Sequence, residues 1–201
     1  MSADVRVLTC RGADIVPWLD EVARLRCEIF RDFPYLYEGD AAYERDYLAG
    51  YAGSAGGVLV LALAGDQVVG ASTGLPLADA APAFQAPFPP RGIKVGTVFY
   101  CGESVLQPAF RGLGLGHRFF DEREAQACSL GGMQWICFAS VERALDDPRC
   151  PSGYRSNNVF WTRRGYVEQA EMKVRLPWKQ VGMAHETEQT LTMWLRSLEP
   201  A

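Results

Sequence analysis

The hexapeptide Arg111-Gly112-Leu113-Gly114-Leu115-Gly116 stands between an apolar run at 96–106 and a helix-forming stretch at 115–129. A helix start carries unpaired N–H groups and partial positive charge. Glycines let a backbone approach an anion with no Cβ in the way. Strand, glycine loop and helix together are a ready site for a pyrophosphate. The spacing is not that of a P-loop, since no lysine follows Gly116. Nor is it the G-x-G-x-x-G of a dinucleotide fold, which belongs to the first strand of a βαβ unit. A tight strand-to-helix turn without a ligand remains the plainer alternative.

Glu103 is the second residue of interest. It lies three positions before Leu106, between Gly102 and Ser104, in a strand otherwise free of charge. A carboxylate there is costly unless it is paired or put to use. It faces a solvated groove, pairs with an arginine, or acts as a base. Metal chemistry has no comparable pattern. The six cysteines form no C-x-x-C pair, and His117 and His185 are isolated, so no metal site is expected. Reduced thiols are the expectation.

These residues need a scaffold, and the patterning outlines one. Residues 5–9 alternate as a strand. Asp14 offers a helix cap, with Pro17 in the first turn and Ile15, Trp18, Leu19, Val22, Leu25 and Ile29 on one face. Phe33-Pro34-Tyr35-Leu36-Tyr37 interrupts that helix. Asp40 caps a second one, with Tyr43, Tyr47, Leu48 and Tyr51 along one side and Gly53, Gly56 and Gly57 at its end. Strands at 58–64 and 67–75 flank a Gly65-Asp66 turn. Residues 78–92 read as a proline-rich loop in which Phe84 and Phe88 either close over a ligand or dock on the core. The strand at 96–106, the glycine loop, the helix at 115–129 and an apolar strand at 133–141 follow. After a polar loop at 142–156, Ser156 or Asn157 caps a short helix that ends before Gly165. Alternation at 171–178 and 190–195 marks a last pair of strands, read as antiparallel.

At this point the chain resembles the GNAT superfamily of acetyl-CoA-dependent N-acetyltransferases. Arg111-x-x-Gly114-x-Gly116 matches that family's [QR]-x-x-G-x-[GA] loop, and Leu106-Gln107-Pro108-Ala109-Phe110 matches its lead-in. The order of elements agrees over nearly the whole chain. The segment from Phe160 to Tyr166 resembles the family's aromatic helix ending in Gly-aromatic. The resemblance implies an α/β fold with a mixed sheet of about seven strands flanked by about four helices, forming one domain over 1–201. It implies acetyl-CoA as cosubstrate, with no metal, and an enzyme that acetylates a primary amine. Amides from Leu113 to His117 would bind the pyrophosphate, with Arg111, Gly112, Gly114, Leu115 and Gly116 completing the loop. Arg118 adds charge there or is merely solvated. Leu106 would pair its backbone with the pantetheine arm. Glu103 would serve as base. The family's tyrosine near the sulfur is replaced by Trp161, which has no acidic proton, so Tyr154, Tyr100 or water would supply one, or none is needed. Asn157 and Asn158 stand out of register with the family's asparagine. Tyr35, Tyr37, Tyr100 and Arg143 are candidate acceptor contacts.

Size and composition bound these readings. At 201 residues, 48% hydrophobic and 22% charged, the chain buries a core without staples. A net charge of -4 disfavours nucleic acid as a partner. No apolar run reaches membrane-spanning length, and the first residues lack a signal-peptide pattern, so a cytoplasmic protein is expected. The expected partner is a small-molecule or peptide amine, with a homodimer as an option. The acidic balance favours a cationic acceptor such as a polyamine, an aminoglycoside or an amino terminus. The competing reading is a non-catalytic acyl-CoA-binding or sensory domain. An enzyme with a larger acyl donor is a third.

Overall fold

A computed structural model describes residues 4–144 and 146–198. Seven strands form one sheet in the order β1-β2-β3-β4-β5-β7-β6. They are β1 (Val5–Arg11), β2 (Val58–Ala64), β3 (Gln67–Pro76), β4 (Val98–Leu106), β5 (Trp135–Val141), β6 (Val167–Lys179) and β7 (Glu186–Ser197). All neighbours are antiparallel except β4 and β5. The last two strands pair as the alternation implies, and β7 inserts between β5 and β6.

The sheet buries both faces. On one lie α1 (Leu19–Phe30) and α2 (Ala41–Gly53), packed on Leu59, Leu61, Leu63, Tyr100 and Val105. On the other, α4 (Leu115–Ser129) and α5 (Asn158–Arg163) cover Val60, Phe99, Cys101 and Phe138. Central strands that are apolar on both faces explain why β2 reads VLVLALA without a polar alternation.

The structure departs from the sequence reading in four places. Asp14 does not cap α1; it lies in a 3-10 segment, Gly12–Trp18, that precedes the helix. That tighter winding stacks Ile15 under Trp18, and Pro17 has no N–H with which to extend an α-ladder. Asp40 does cap α2, accepting from the Tyr43 N–H at 2.9 Å. The face of α2 is turned, however: Tyr43 is 64% exposed and Glu44 only 1%. The proline-rich stretch is not a loop but a 3-10 turn (Leu77–Asp79), α3 (Pro82–Gln85) and a second turn (Pro89–Arg91). Pro82, Pro89 and Pro90 occupy first-turn positions, where a missing N–H costs nothing. Phe84 and Phe88 are buried in the α1–α2 core, and α3 makes five α-helices instead of about four. Finally, β6 and β7 extend well beyond 171–178 and 190–195. A register shift between Gln169 and Lys173 breaks the alternation, and the outer strand carries exposed Glu168, Glu171, Lys173 and Arg175, as an edge strand does.

Candidate functional site

The site grows from an irregularity in β4. Ser104 pairs with Ser72 and Cys101 with Gly74, so Gly102 and Glu103 together oppose Thr73. Such a bulge re-aims side chains. Here it turns Glu103 toward the α1–α2 face, where it ion-pairs with Arg26 of α1; Arg26 also pairs with Glu44 of α2. The Arg26 guanidinium lies over the rings of Phe30, at 4.9 Å, and Tyr47, at 4.6 Å. Tyr47 and Tyr51 share a hydroxyl hydrogen bond of 2.8 Å. Gly102 is required because a Cβ would collide with the Tyr51 hydroxyl. Burial works against the Arg26 charge, but Glu103, Tyr47 and Glu44 outweigh it and hold its pKa well above the ordinary value. Glu103 is 7% exposed, and its Oε1 has no hydrogen-bond partner among the described residues.

Beside this cluster the sheet opens. β4 and β5 pair only at Val98–Trp135, Phe99–Ile136 and Tyr100–Cys137. The Gln107 N–H donates to the Val69 carbonyl at 2.9 Å, and Leu106 stands opposite Gly70. Leu106 is thus at a non-bonded position of the β3–β4 ladder, with its own N–H and C=O turned toward the open side. Ser104, two residues back, shares that orientation. The Leu106 carbonyl accepts from Arg111 Nε at 3.3 Å.

The glycine loop continues from this open edge. Gly112 and Gly114 both have φ of 79°, a left-handed conformation that excludes most side chains. The N–H groups of His117 and Arg118 donate to the Gly114 carbonyl at 3.0 and 3.3 Å. Those of Leu115 and Gly116 precede the first helical bonds, where a helix leaves donors unpaired. A Cβ at Gly114 would meet nothing within 4 Å, so the cradle is open. Leu113 is 55% exposed. Arg118 is exposed and has no ion-pair partner among the described residues.

The short helix α5 leans on the start of α4. Phe160 meets His117 edge-on at 4.9 Å and lies 3.6 Å from a Cβ built on Gly116. Arg164 ties the two helices through Asp121 at 2.7 Å, Glu124 at 2.8 Å and His117 Nδ1 at 3.2 Å. Trp161 packs on Phe138 at 4.8 Å and Trp194 at 5.2 Å, so the position where the resemblance puts an acid is an aromatic stack.

The remaining candidates separate into two groups. Tyr35 sits at the centre of the first: burial pushes its pKa up to about 12, with Arg26, Glu103, Tyr154 and Arg143 all acting on its hydroxyl. Tyr37 is raised by burial and by its hydrogen bond to Glu44. Tyr154 is 40% exposed and rests edge-on against Phe33 at 4.8 Å. Arg143 is a clamp. It donates to the carbonyls of Pro34 and Tyr35 and to Gln189 Oε1, which fastens the α1–α2 connection to β7. The second group is a cavity of about 120 Å³ lined by Tyr47, Tyr51, Leu75, Asp79, Phe84 and Tyr100. Tyr100 is buried against Phe84 at 4.6 Å, and Asp79, exposed at the edge, accepts from the Ser54 hydroxyl at 2.6 Å. Three residues here escaped the sequence reading: Arg26, Glu44 and Arg123. Their signal was a charge on an apolar helix stripe, as Arg26 lies between Val22 and Phe30 at four-residue spacing. Among the described residues, no group of three or more His, Cys, Asp or Glu is placed to hold a metal, and no helix is long and apolar enough to cross a membrane.

No protein-family model matches the chain and no curated protein matches it in sequence. Solved structures do match in shape. The chain is similar to an acetyltransferase of the GNAT family from Streptococcus pneumoniae (12% identity, TM-score 0.59, covering 98% of this chain and 100% of that one). It is similar to yncA from Salmonella typhimurium, solved with its cofactor acetyl-CoA (12%, TM-score 0.62, 98% and 95%). It is also similar to the ribosomal-protein-alanine N-acetyltransferase of Brucella melitensis (13%, TM-score 0.61, 94% and 99%). This chain has the fold of the GNAT acetyltransferases.

Proposed function

We propose that this chain, as one domain over 1–201, is an N-acetyltransferase that moves the acetyl group of acetyl-CoA directly to a primary amine. The observation that carries the reading is the unpaired edge of β4 running straight into an open, glycine-capped helix start. The residues present fit the cosubstrate. The free amides of Leu115 and Gly116 and the unpaired Arg118 suit a diphosphate. The outward N–H and C=O groups of Ser104 and Leu106 suit an extended amide-bearing arm laid against the strand. Bound acetyl-CoA supplies an acyl group already activated as a thioester.

The chain's own groups do the rest. The Leu106 N–H, at the end of the open edge, is placed to stabilise negative charge on a carbonyl oxygen. Glu103, with Oε1 unpartnered, accepts the proton that the ammonium must lose before it attacks. Arg26 pairs with that carboxylate inside the core. Tyr47, Tyr51 and Tyr100 join Glu103 to the aromatic cavity. Its π faces and the Asp79 carboxylate at its edge suit a compact protonated amine. At about 120 Å³ it has room for roughly four waters' worth of ligand. Tyr35, Tyr37 and Tyr154 line the approach from the α1–α2 connection, held in place by Arg143.

The test is twofold: calorimetry with acetyl-CoA, then thiol release across a panel of short amines, polyamines, aminoglycosides and peptide amino termini. Micromolar binding with release for at least one class is the expected result. No binding sinks the reading. One observation favours a second reading, a non-catalytic acyl-CoA-binding domain: Trp161, half-buried against Phe138 and Trp194, provides no acid where the resemblance puts one. Tight binding with no thiol release from any amine would select it.

A further inference from the structure

Arg123 is the largest fully buried side chain of the molecule's described residues, 2% exposed in the middle of α4. It has no carboxylate within ion-pairing distance among them, and its Nη2 has no hydrogen-bond partner. An unneutralised charge in an aromatic core is costly, so packing alone does not account for it; a leucine or methionine would pack as well.

Its bonds show what it does. Nε donates to the Phe119 carbonyl of its own helix at 3.1 Å, and Nη1 donates to the carbonyls of Glu103 at 3.1 Å and Thr73 at 3.5 Å. The ring of Phe120 supports the guanidinium at 4.6 Å. Thr73 and Glu103 are the two sides of the β4 bulge. A bulge locally disrupts the ladder, and Arg123 adds a donor to the carbonyls on both of its sides from beneath. From the opposite face Arg26 holds the Glu103 side chain. One residue is therefore gripped twice, by its backbone and by its carboxylate.

We propose that Arg123 is the positioning residue of this site: by binding the carbonyls of Thr73 and Glu103 it fixes the β4 bulge, and so the aim of Glu103. This rests on the acetyltransferase reading. It gives α4 two tasks. Its first turn forms the anion cradle, and about 10 Å further along, seven residues at 1.5 Å each, it locks the strand that carries the base.

Arg123→Met and Arg123→Lys test the proposal. In the protein without ligands, hydrogen exchange of the bonded amides of Glu103 and Val105 is expected to rise about tenfold or more in the Met variant, with β2 and β7 amides unchanged. The Lys variant, which keeps one charged donor, should recover part of that protection. In turnover, kcat should fall about a hundredfold in the Met variant, partly recovered by Lys, while the Kd for acetyl-CoA changes less than about threefold. A folded Met variant with unchanged exchange at Glu103 and Val105 overturns the proposal. So does an equal loss of kcat and acetyl-CoA affinity, which marks general damage. If the Met variant does not fold, the Lys variant carries the same comparison against wild type. If the wild type acetylates no amine, the acetyltransferase reading falls, while exchange still decides whether Arg123 holds the bulge.

Discussion

At the scale of single residues, Glu103 joins two demands that usually conflict. As the proposed base it must be ionised to take a proton, and it is buried. Arg26 meets both by pairing with it and with Glu44. Two predictions follow from that geometry. Glu103→Gln keeps the shape and removes the base, so kcat should fall about 10²- to 10⁴-fold while calorimetry finds acetyl-CoA affinity unchanged; full turnover would exclude Glu103 from the chemistry. Arg26→Met leaves two buried carboxylates facing each other. Breaking a buried pair in this way costs about 3–5 kcal/mol, to be read as a lowered denaturant midpoint. A double variant with Glu103→Gln and Glu44→Gln should recover part of the loss, since no charge is then stranded.

At the scale of elements, the glycine loop forms the proposed anion site through conformation and open space together. Gly114, the residue before α4, has φ of 79° and nothing near its missing Cβ. Gly65 in the β2–β3 turn has the same two properties, with φ of 61°. An alanine at either position costs about 1–2 kcal/mol for the left-handed backbone. Only at Gly114 should it also crowd a bound phosphate. Gly114→Ala and Gly65→Ala are therefore expected to lower stability alike, whereas Gly114→Ala alone weakens acetyl-CoA binding, about tenfold or more. Equal affinities in the two variants would move the cofactor site elsewhere.

At the scale of the whole molecule, one face of the sheet is furnished with tyrosines, Tyr51 and Tyr100 buried and Tyr35 and Tyr47 half-buried. Burial is the leading cause that raises the pKa of Tyr35, Tyr47, Tyr51 and Tyr100. A folded-state pKa above the unfolded value means that, at high pH, the folded chain holds more protons than the unfolded one. Stability is then full below the unfolded value of about 10 and is lost as pH rises beyond it. Tyrosinate absorbance should accordingly appear in step with loss of the folded circular-dichroism signal. Smooth titration of these rings with the fold intact would contradict their burial.

The chain's own pattern determined the seven strands, the main helices and the glycine loop, because apolar periodicity and glycine punctuation are local and survive in one dimension. It marked Glu103 as exceptional, because a lone charge among apolar residues is visible without a partner. It did not reveal the partner. Arg26, Glu44 and Arg123 look like ordinary solvated helix charges until α1, α2 and α4 are laid on the sheet, and Arg143 looks like a ligand contact until its donors are seen on Pro34, Tyr35 and Gln189. The β4 bulge likewise exists only as a mismatch between two strands. Interactions between residues far apart in sequence depend on how the elements pack, and that packing, not local pattern, decided where the charges of this protein reside.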